Sequence, residues 1–403
     1  MAKLKTFFEW SGKIDKVQAA IPTNDGRSLL QLPASARFKN WLPTVVRMQR
    51  YNKAKTETEI LTLIDDLMKC QTLVAVKKPL ELCDQKPLSP GKGEVVVALK
   101  YASLNRRDYW ITQGLYPGLE PPVVLGSDGA GVVQGLGEGV DSDWMGREVI
   151  MNPGIGWGSD PRCQAYDFQI LGLPLNGTLA SQVVVPVENL YSKPDTLSWQ
   201  QSAAIPLAGV TAYRALITQA GLKKGERVLV SGIGGGVATF VLQFAVALGA
   251  DVWVTSSSEQ KIEKAIDLKA KSGFLYTDPQ WTQKAKQDAE GFDVIVDSAG
   301  GKGYDNLVTL ANPGGRIVNY GATTGPPEKL DLFKVFWKQL TIHGSTMGSP
   351  DDFKNMLELI ANQNVKPLID QIVPLESTNE ALSAMAHSPQ FGKYVIDIEN
   401  TNG

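Results

Sequence analysis

Cysteine is scarce in this chain: Cys70, Cys83 and Cys163 are all that its 403 residues contain. Three scattered thiols cannot build a disulfide framework, and such usage points to a reducing compartment, so a cytoplasmic location is expected. An excess of either charge is also missing. Forty Lys/Arg stand against 42 Asp/Glu, a net charge of −2. That balance gives no reason to expect nucleic acid or an anionic membrane as the main partner. One run, Val228–Ala250, has 23 residues without a charge. Five glycines, Ser231, Thr239 and Gln243 interrupt it, so it reads as a buried strand entering a packed helix rather than a membrane span. No glycine period marks a collagen, and 43% hydrophobic against 20% charged residues excludes a disordered chain. At roughly 150 residues per domain, the length suggests two or three domains.

Residues 1–70 differ from the rest. They hold 12 of the 40 basic and only 7 of the 42 acidic side chains. No apolar stretch follows the first lysines, so a secretory leader is not expected. Thr56–Lys69 predicts a helix: Ile60, Leu61, Ile64 and Leu67 recur at helical spacing, and Thr56 with Glu59 forms a capping box. This extension carries no recognisable chemistry. From Thr72 short β segments dominate, at Leu73–Val76, Glu94–Tyr101, Pro122–Val133, Glu148–Asn152 and Gln182–Val187. Helices follow, one capped by Ser198 and running to Ala203, another over Gly209–Thr218. Strand and helix then alternate. Arg227–Val230, Asp251–Thr255, Phe292–Val296, Arg316–Tyr320 and Gln339–Gly344 read as strands, Val237–Leu248 and Glu259–Ala270 as helices. Such alternation predicts a parallel sheet with helices on both faces. A helix at Asp351–Asn362 and a strand at Phe391–Ile398 close the chain. The last strand is expected to return to the first β domain, making the α/β unit an insertion.

The strongest constellation is Glu226–Ala250, where an apolar strand runs into a glycine cluster that opens a helix. Gly235 and Gly236 let backbone approach a pyrophosphate, and the helix N-terminus offers unpaired N–H groups and positive dipole. The pattern departs from G-x-G-x-x-G: with Gly235 in the middle place, Ile233 stands first and Ala238 last. The second strand ends in Thr255-Ser256-Ser257-Ser258, followed by Lys261, with no acid at its tip. Hydroxyls and a lysine suit the 2′-phosphate of NADPH, whereas NAD sites commonly place an acid there. The same serines also suit a helix cap.

Several segments together resemble the medium-chain dehydrogenase/reductase superfamily, and within it the zinc-free, quinone oxidoreductase-like branch. They are Ala102–Pro117, Leu125–Val133, Pro206–Leu216, the glycine loop, Phe292–Ala299, Gly314–Thr323 and Leu340–Gly348. The resemblance runs from Thr72 to the C-terminus and leaves residues 1–70 without a counterpart. It implies an α/β chain in which a GroES-like β domain (71–200 and 345–403) holds an inserted Rossmann domain (201–344), preceded by an N-terminal extension (1–70). It also implies a homodimer or homotetramer and a cleft for nicotinamide and substrate. By the match of segments, Thr211, Gly321, Ala322, Thr346 and Met347 border the nicotinamide side. Gly235, Gly236 and Val237 lie on the pyrophosphate, and Ser257, Lys261 and Tyr276 surround the 2′-phosphate.

Where zinc members of the superfamily place metal ligands, this chain has Asn105, Ser127 and Leu207. None is a thiolate or imidazole, and the only histidines are His343 and His387, so no metal is expected. Hydride transfer then requires a hydrogen-bond donor at the substrate oxygen. Tyr116, Asn105 and Tyr109 are the catalytic candidates, with Ser127 beside them and Asp128 placed to orient it. Arg106 and Arg107 suit either a substrate anion or a solvated surface. The expected activity is NADPH-dependent, zinc-independent reduction of a quinone or an α,β-unsaturated carbonyl. Two alternatives remain open: a zinc-free carbonyl or alcohol oxidoreductase, and an NADPH-binding protein without catalysis.

Overall fold

The structure, a computed structural model, describes residues 67–387 and 389–399. Strand β1 (Met68–Leu73) pairs antiparallel with a short strand further on. Most of the helix predicted at Thr56–Lys69 lies outside the described residues, but Met68 and Lys69 fall in β1. Backbone pairing along this strand overrides the helical spacing that ended there.

A mostly β layer follows. Its strands are β2 (Glu81–Gln85), β3 (Glu94–Ser103), β4 (Val123–Val124), β5 (Asp128–Leu136), β6 (Glu148–Met151), β7 (Gly154–Ile155), β8 (Gln169–Ile170), β9 (Gln182–Pro186) and β10 (Leu190–Ser192). Helix α1 (Arg106–Thr112) interrupts them after β3. Long β3 is the hub of this layer. It pairs antiparallel with β5 along most of its length and with β9 at its N-terminal half. Val95, Val96 and Val97 are buried, as are Leu99, Tyr101, Ala102 and Ser103, so β3 is covered on both faces at its two ends.

Helix α2 (Trp199–Ala203) starts on Ser198, whose Oγ accepts from the Gln201 N–H at 3.2 Å while Gln201 Oε1 accepts from the Ser198 N–H at 3.1 Å. Helix α3 (Pro206–Tyr213) begins three residues before the predicted Gly209, with proline in its first position. It passes into a π-helical stretch, Arg214–Gln219. Six parallel strands then alternate with helices: β11 (Arg227–Val230), α4 (Gly236–Ala247), β12 (Asp251–Ser256), α5 (Glu259–Asp267), β13 (Ser272–Leu275), α6 (Trp281–Ala289), β14 (Phe292–Asp297), α7 (Tyr304–Leu310), β15 (Ala311–Asn319), α8 (Leu332–Trp337) and β16 (Thr341–Gly344). Their order across the sheet is β13-β12-β11-β14-β15-β16, the doubly wound arrangement that sets a ligand crevice at the strand C-termini next to β11. The 23-residue uncharged run resolves into β11 and α4, and no helix among the described residues is long and apolar enough to cross a membrane.

After α9 (Pro350–Gln363) the chain forms β17 (Ile369–Pro374), α10 (Thr378–Met385) and β18 (Lys393–Asp397). Strand β18 pairs antiparallel with β3, and β17 pairs parallel with β18. The β layer therefore takes strands from both sides of the parallel sheet, as expected of an insertion.

Candidate active site

The turn between β11 and α4 is shaped by its glycines. Gly232 at φ +70° and Gly234 at φ +136° hold backbone conformations that L side chains rarely adopt. Gly235 is the N-cap of α4, and a Cβ placed there would meet nothing within 4 Å. Open space therefore lies over the unpaired N–H groups of the first turn, which Gly236 and half-buried Val237 begin. A Cβ on Gly236 would come within 2.6 Å of Lys393 Cδ, so only glycine fits there. Ile233, standing where the G-x-G-x-x-G pattern has its first glycine, is buried, and its N–H donates to the Thr255 carbonyl at 2.8 Å. Its side chain belongs to the core and leaves the phosphate face clear.

At the tip of β12 the serines divide their work. Ser258 caps α5 and accepts from the Lys261 N–H at 3.4 Å, while Ser257 is exposed. Lys261 Nζ lies 3.0 Å from the point a Gly234 Cβ would occupy. Burial lowers the Lys261 pKa; Asp370 pulls it back up, and Arg106 and Lys264 push it further down. Burial also lowers the pKa of Arg106, which comes from α1 of the β layer. Lys261 is thus the cation at the glycine turn, while Arg106 lies near enough to act on its titration and donates its Nη1 to the Met385 carbonyl. Half-exposed Tyr276 follows β13, and its N–H donates to the Ser256 carbonyl at 3.0 Å, which keeps it beside the same strand tip.

The opposite end of the cleft is dense. Asp128, fully buried at the start of β5, accepts from Ser103 Oγ at 3.1 Å, Asn105 Nδ2 at 2.8 Å and Lys393 Nζ at 2.9 Å. Its other oxygen accepts from the Leu207 N–H at 2.7 Å, at the start of α3. Lys393 Nζ also donates to Asn105 Oδ1 at 2.6 Å. The Asn105 side chain is thus held at both its oxygen and its nitrogen. Asp108, one turn into α1, accepts from the Asn105 N–H at 2.7 Å; burial raises its pKa, and neighbouring Arg107 lowers it. Asp128 does not orient Ser127 through a hydrogen bond. Instead Ser127 Oγ accepts from Arg107 Nη1 at 2.6 Å and donates to the Leu171 carbonyl at 2.8 Å. Arg107 is buried rather than solvated and also donates to the Leu173 carbonyl at 3.1 Å.

Tyr116 is half-buried, and the Arg107 guanidinium sits 5.1 Å from its ring centroid. Tyr109, half-buried on α1, packs 5.1 Å from the ring of Trp110. Of the residues expected to border the nicotinamide, Thr211 donates its Oγ1 to the Leu207 carbonyl at 2.7 Å within its own helix. Gly321, Ala322 and Thr346 are exposed at the C-terminal ends of β15 and β16. Met347 is buried at φ +47° in a cluster with Leu207 and Trp157. Sequence reading missed Lys393 and Trp157. Lys393 left a signal, a lone charge at the head of the apolar run Tyr394–Ile396, but nothing local names its partners.

Two family models match: the alcohol dehydrogenase GroES-like domain over residues 91–195 and the zinc-binding dehydrogenase over residues 236–362. The zinc-type alcohol dehydrogenase-like protein YogA of Leptosphaeria maculans is 35% identical over 341 residues, covering 79% of this chain and 95% of that protein. An acryloyl-coenzyme A reductase of Sulfurisphaera tokodaii is 29% identical over 337 residues, covering 82% and 99%. A solved NAD-dependent alcohol dehydrogenase superposes with a TM-score of 0.78 at 36% identity, over 82% of this chain and 99% of that one. Zinc, which such relatives imply, finds no donor set here. Asn105 is committed to Lys393 and Asp128, Ser127 to Arg107 and Leu171, and Leu207 is aliphatic. Among the described residues no three His, Cys, Asp or Glu side chains cluster as metal ligands. With a GroES-like β layer, an inserted doubly wound sheet and relatives matched over four-fifths of its length, the chain belongs to the medium-chain dehydrogenase/reductase family of oxidoreductases.

Proposed function

We propose that this protein is an NADPH-dependent, zinc-independent reductase acting on a quinone or an α,β-unsaturated carbonyl. One contrast carries the reading: the glycine turn is open at Gly235 with Lys261 beside it, while the three positions that would hold a metal are filled by committed polar groups and a leucine. Open backbone at Gly235 and the first N–H groups of α4 suit the pyrophosphate. Lys261, exposed Ser257 and Tyr276 suit the 2′-phosphate, and no acid at the tip of β12 disfavours NAD. The acryloyl-coenzyme A reductase relative supports an activated alkene as acceptor.

Bound NADPH supplies the hydride. The chain's own contribution is to hold the acceptor against the nicotinamide, keep water away and give a hydrogen bond to the oxygen that gains charge. Tyr116 is the best donor among the candidates. A tyrosine hydroxyl can donate a hydrogen bond without carrying charge, and the Arg107 guanidinium against the ring fixes its position. Asn105 instead serves the buried network, because both ends of its amide are engaged.

The test is oxidation of NADPH and of NADH by the purified protein with a panel of quinones and enones. Turnover with NADPH preferred is expected. Turnover confined to alcohols or simple aldehydes would move the reading to a carbonyl or alcohol oxidoreductase. NADPH binding with no turnover on either panel would leave a nucleotide-binding protein.

A further inference from the structure

Arg214 is the largest side chain with almost no exposure, at 2%, and the reading above gives it no task. It opens the π-helical stretch three residues after Thr211. Its Nη1 donates to Asp352 Oδ2 at 2.7 Å, and its Nη2 donates to the carbonyls of Pro161 at 3.0 Å and Arg162 at 2.7 Å. Its guanidinium also lies 4.8 Å from the ring centroid of Trp157. Asp352 in turn accepts from Thr218 Oγ1 at 2.5 Å and from the N–H and Oγ of Ser349 at 2.8 and 3.0 Å. One buried ion pair therefore joins three segments: the loop at 157–162, the end of α3, and the turn that leads from Met347 into α9.

The loop, helix α3 and the turn each send one side chain to the same place, α3 from its first turn. Trp157, Leu207 and Met347 form a cluster, 4%, 9% and 6% exposed. Trp157 is held on every side: Arg214 over its face, the edge of Phe168 at 5.4 Å and 81°, and its Nε1 donating to the Asp160 carbonyl at 3.1 Å. Met347 is held at φ +47°, a conformation that strains a non-glycine residue unless its surroundings impose it. Leu207 stands at one of the three metal-ligand positions, its N–H on Asp128.

We propose that Trp157, locked by the Arg214–Asp352 pair, is the specificity-determining wall of the substrate side and fits an apolar substituent of limited bulk. The proposal rests on the reading above in one respect only, that Leu207 and Met347 border the reacting centre. Three apolar side chains meeting there offer an acceptor no hydrogen bond, so they take its hydrocarbon end. Arg214 and Asp352 are positioning residues, because they reach the site only through Trp157 and the Met347 turn.

The experiment measures kcat and KM for a series of enones of rising bulk with Trp157→Ala, Trp157→Phe, Arg214→Lys and the parent, using the NADPH dissociation constant as the check of folding. Trp157→Ala is expected to raise the ratio of kcat/KM for bulky over small members by about tenfold or more, the scale of one methylene in an apolar pocket. Arg214→Lys keeps the charge but loses the fork to both carbonyls, and it should shift the ratio the same way by less. Trp157→Phe should restore most of the parent's preference. An unchanged ratio in Trp157→Ala with parental NADPH binding overturns the proposal. If Trp157→Ala does not fold, Trp157→Leu is read by the same ratio. Should the parent turn over no enone or quinone, the proposed reaction fails, and the ratio is read on a series of aldehydes, so the two failures stay separate.

Discussion

The proposed site has two ends, one for nucleotide and one for substrate, and they are built on opposite principles. The nucleotide end is mostly backbone: a turn whose glycines sit at φ values side chains avoid, a helix start facing open space, and Lys261 at its rim. The substrate end is mostly side chain: Asp128, Lys393, Asn105, Arg107 and Ser127 in mutual hydrogen bonds, with Trp157, Leu207 and Met347 packed beside them. The comparison bears on the metal positions. A zinc site needs lone pairs aimed at an empty point, and here the lone pairs are aimed at ammonium and guanidinium groups instead.

The largest effect expected from breaking this contrast is at Lys393. Replacing it by methionine leaves Asp128 a buried, unpaired charge, which should cost about 3–5 kcal/mol. Equilibrium unfolding in denaturant measures it, and a loss below about 1 kcal/mol would mean that the Lys393–Asp128 pair does not hold this end together. Next comes the oxygen donor. Tyr116→Phe should lower turnover by roughly 10²–10³, or about 2.7–4 kcal/mol, with the NADPH dissociation constant unchanged. A rate within a few-fold of the parent assigns the proton to Tyr109 or water.

A smaller effect separates the nucleotide end from its NAD-using relatives. Lys261→Ala should cut the preference for NADPH over NADH by about 10- to 100-fold, the worth of one charge-assisted contact of roughly 1.5–3 kcal/mol. Titration offers an independent reading. Burial holds the Lys261 pKa below its ordinary 10.5. The ammonium is therefore lost, as pH rises, earlier than an exposed lysine would lose it. NADPH affinity should fall through that alkaline range while NADH affinity does not, as paired titrations at rising pH can show. The smallest effect is a calibration outside both ends: Ser198→Ala removes the α2 cap and should cost about 1 kcal/mol in thermal unfolding without altering kinetics.

The two ends also differ in how much of them the sequence displays. Strand β11, the glycine turn and α4 are contiguous, so spacing alone marks them, and the alternation of β11 to β16 with helices shows the doubly wound sheet. The insertion was legible because an apolar strand, β18, follows the last helix. Residues of the substrate end come from far apart. Lys393 meets Asn105 across 288 positions, and Arg214 meets Asp352 across 138. No local period records such a meeting. Resemblance located Asn105, Ser127 and Leu207, yet only packing shows that Asp128 serves Lys393 rather than Ser127, and that Arg107 is buried. Helical spacing misled at Met68 and Lys69 because strand pairing is likewise decided at a distance.

The central claim, that this family member transfers hydride at a site whose metal positions are filled by its own side chains, has one direct measurement. Zinc per chain is determined on the purified protein by elemental analysis, and NADPH oxidation with a reactive enone is followed before and after exhaustive chelation. The account predicts no stoichiometric zinc and an unchanged rate. About one zinc per chain, with activity lost on its removal and regained on its return, would contradict it.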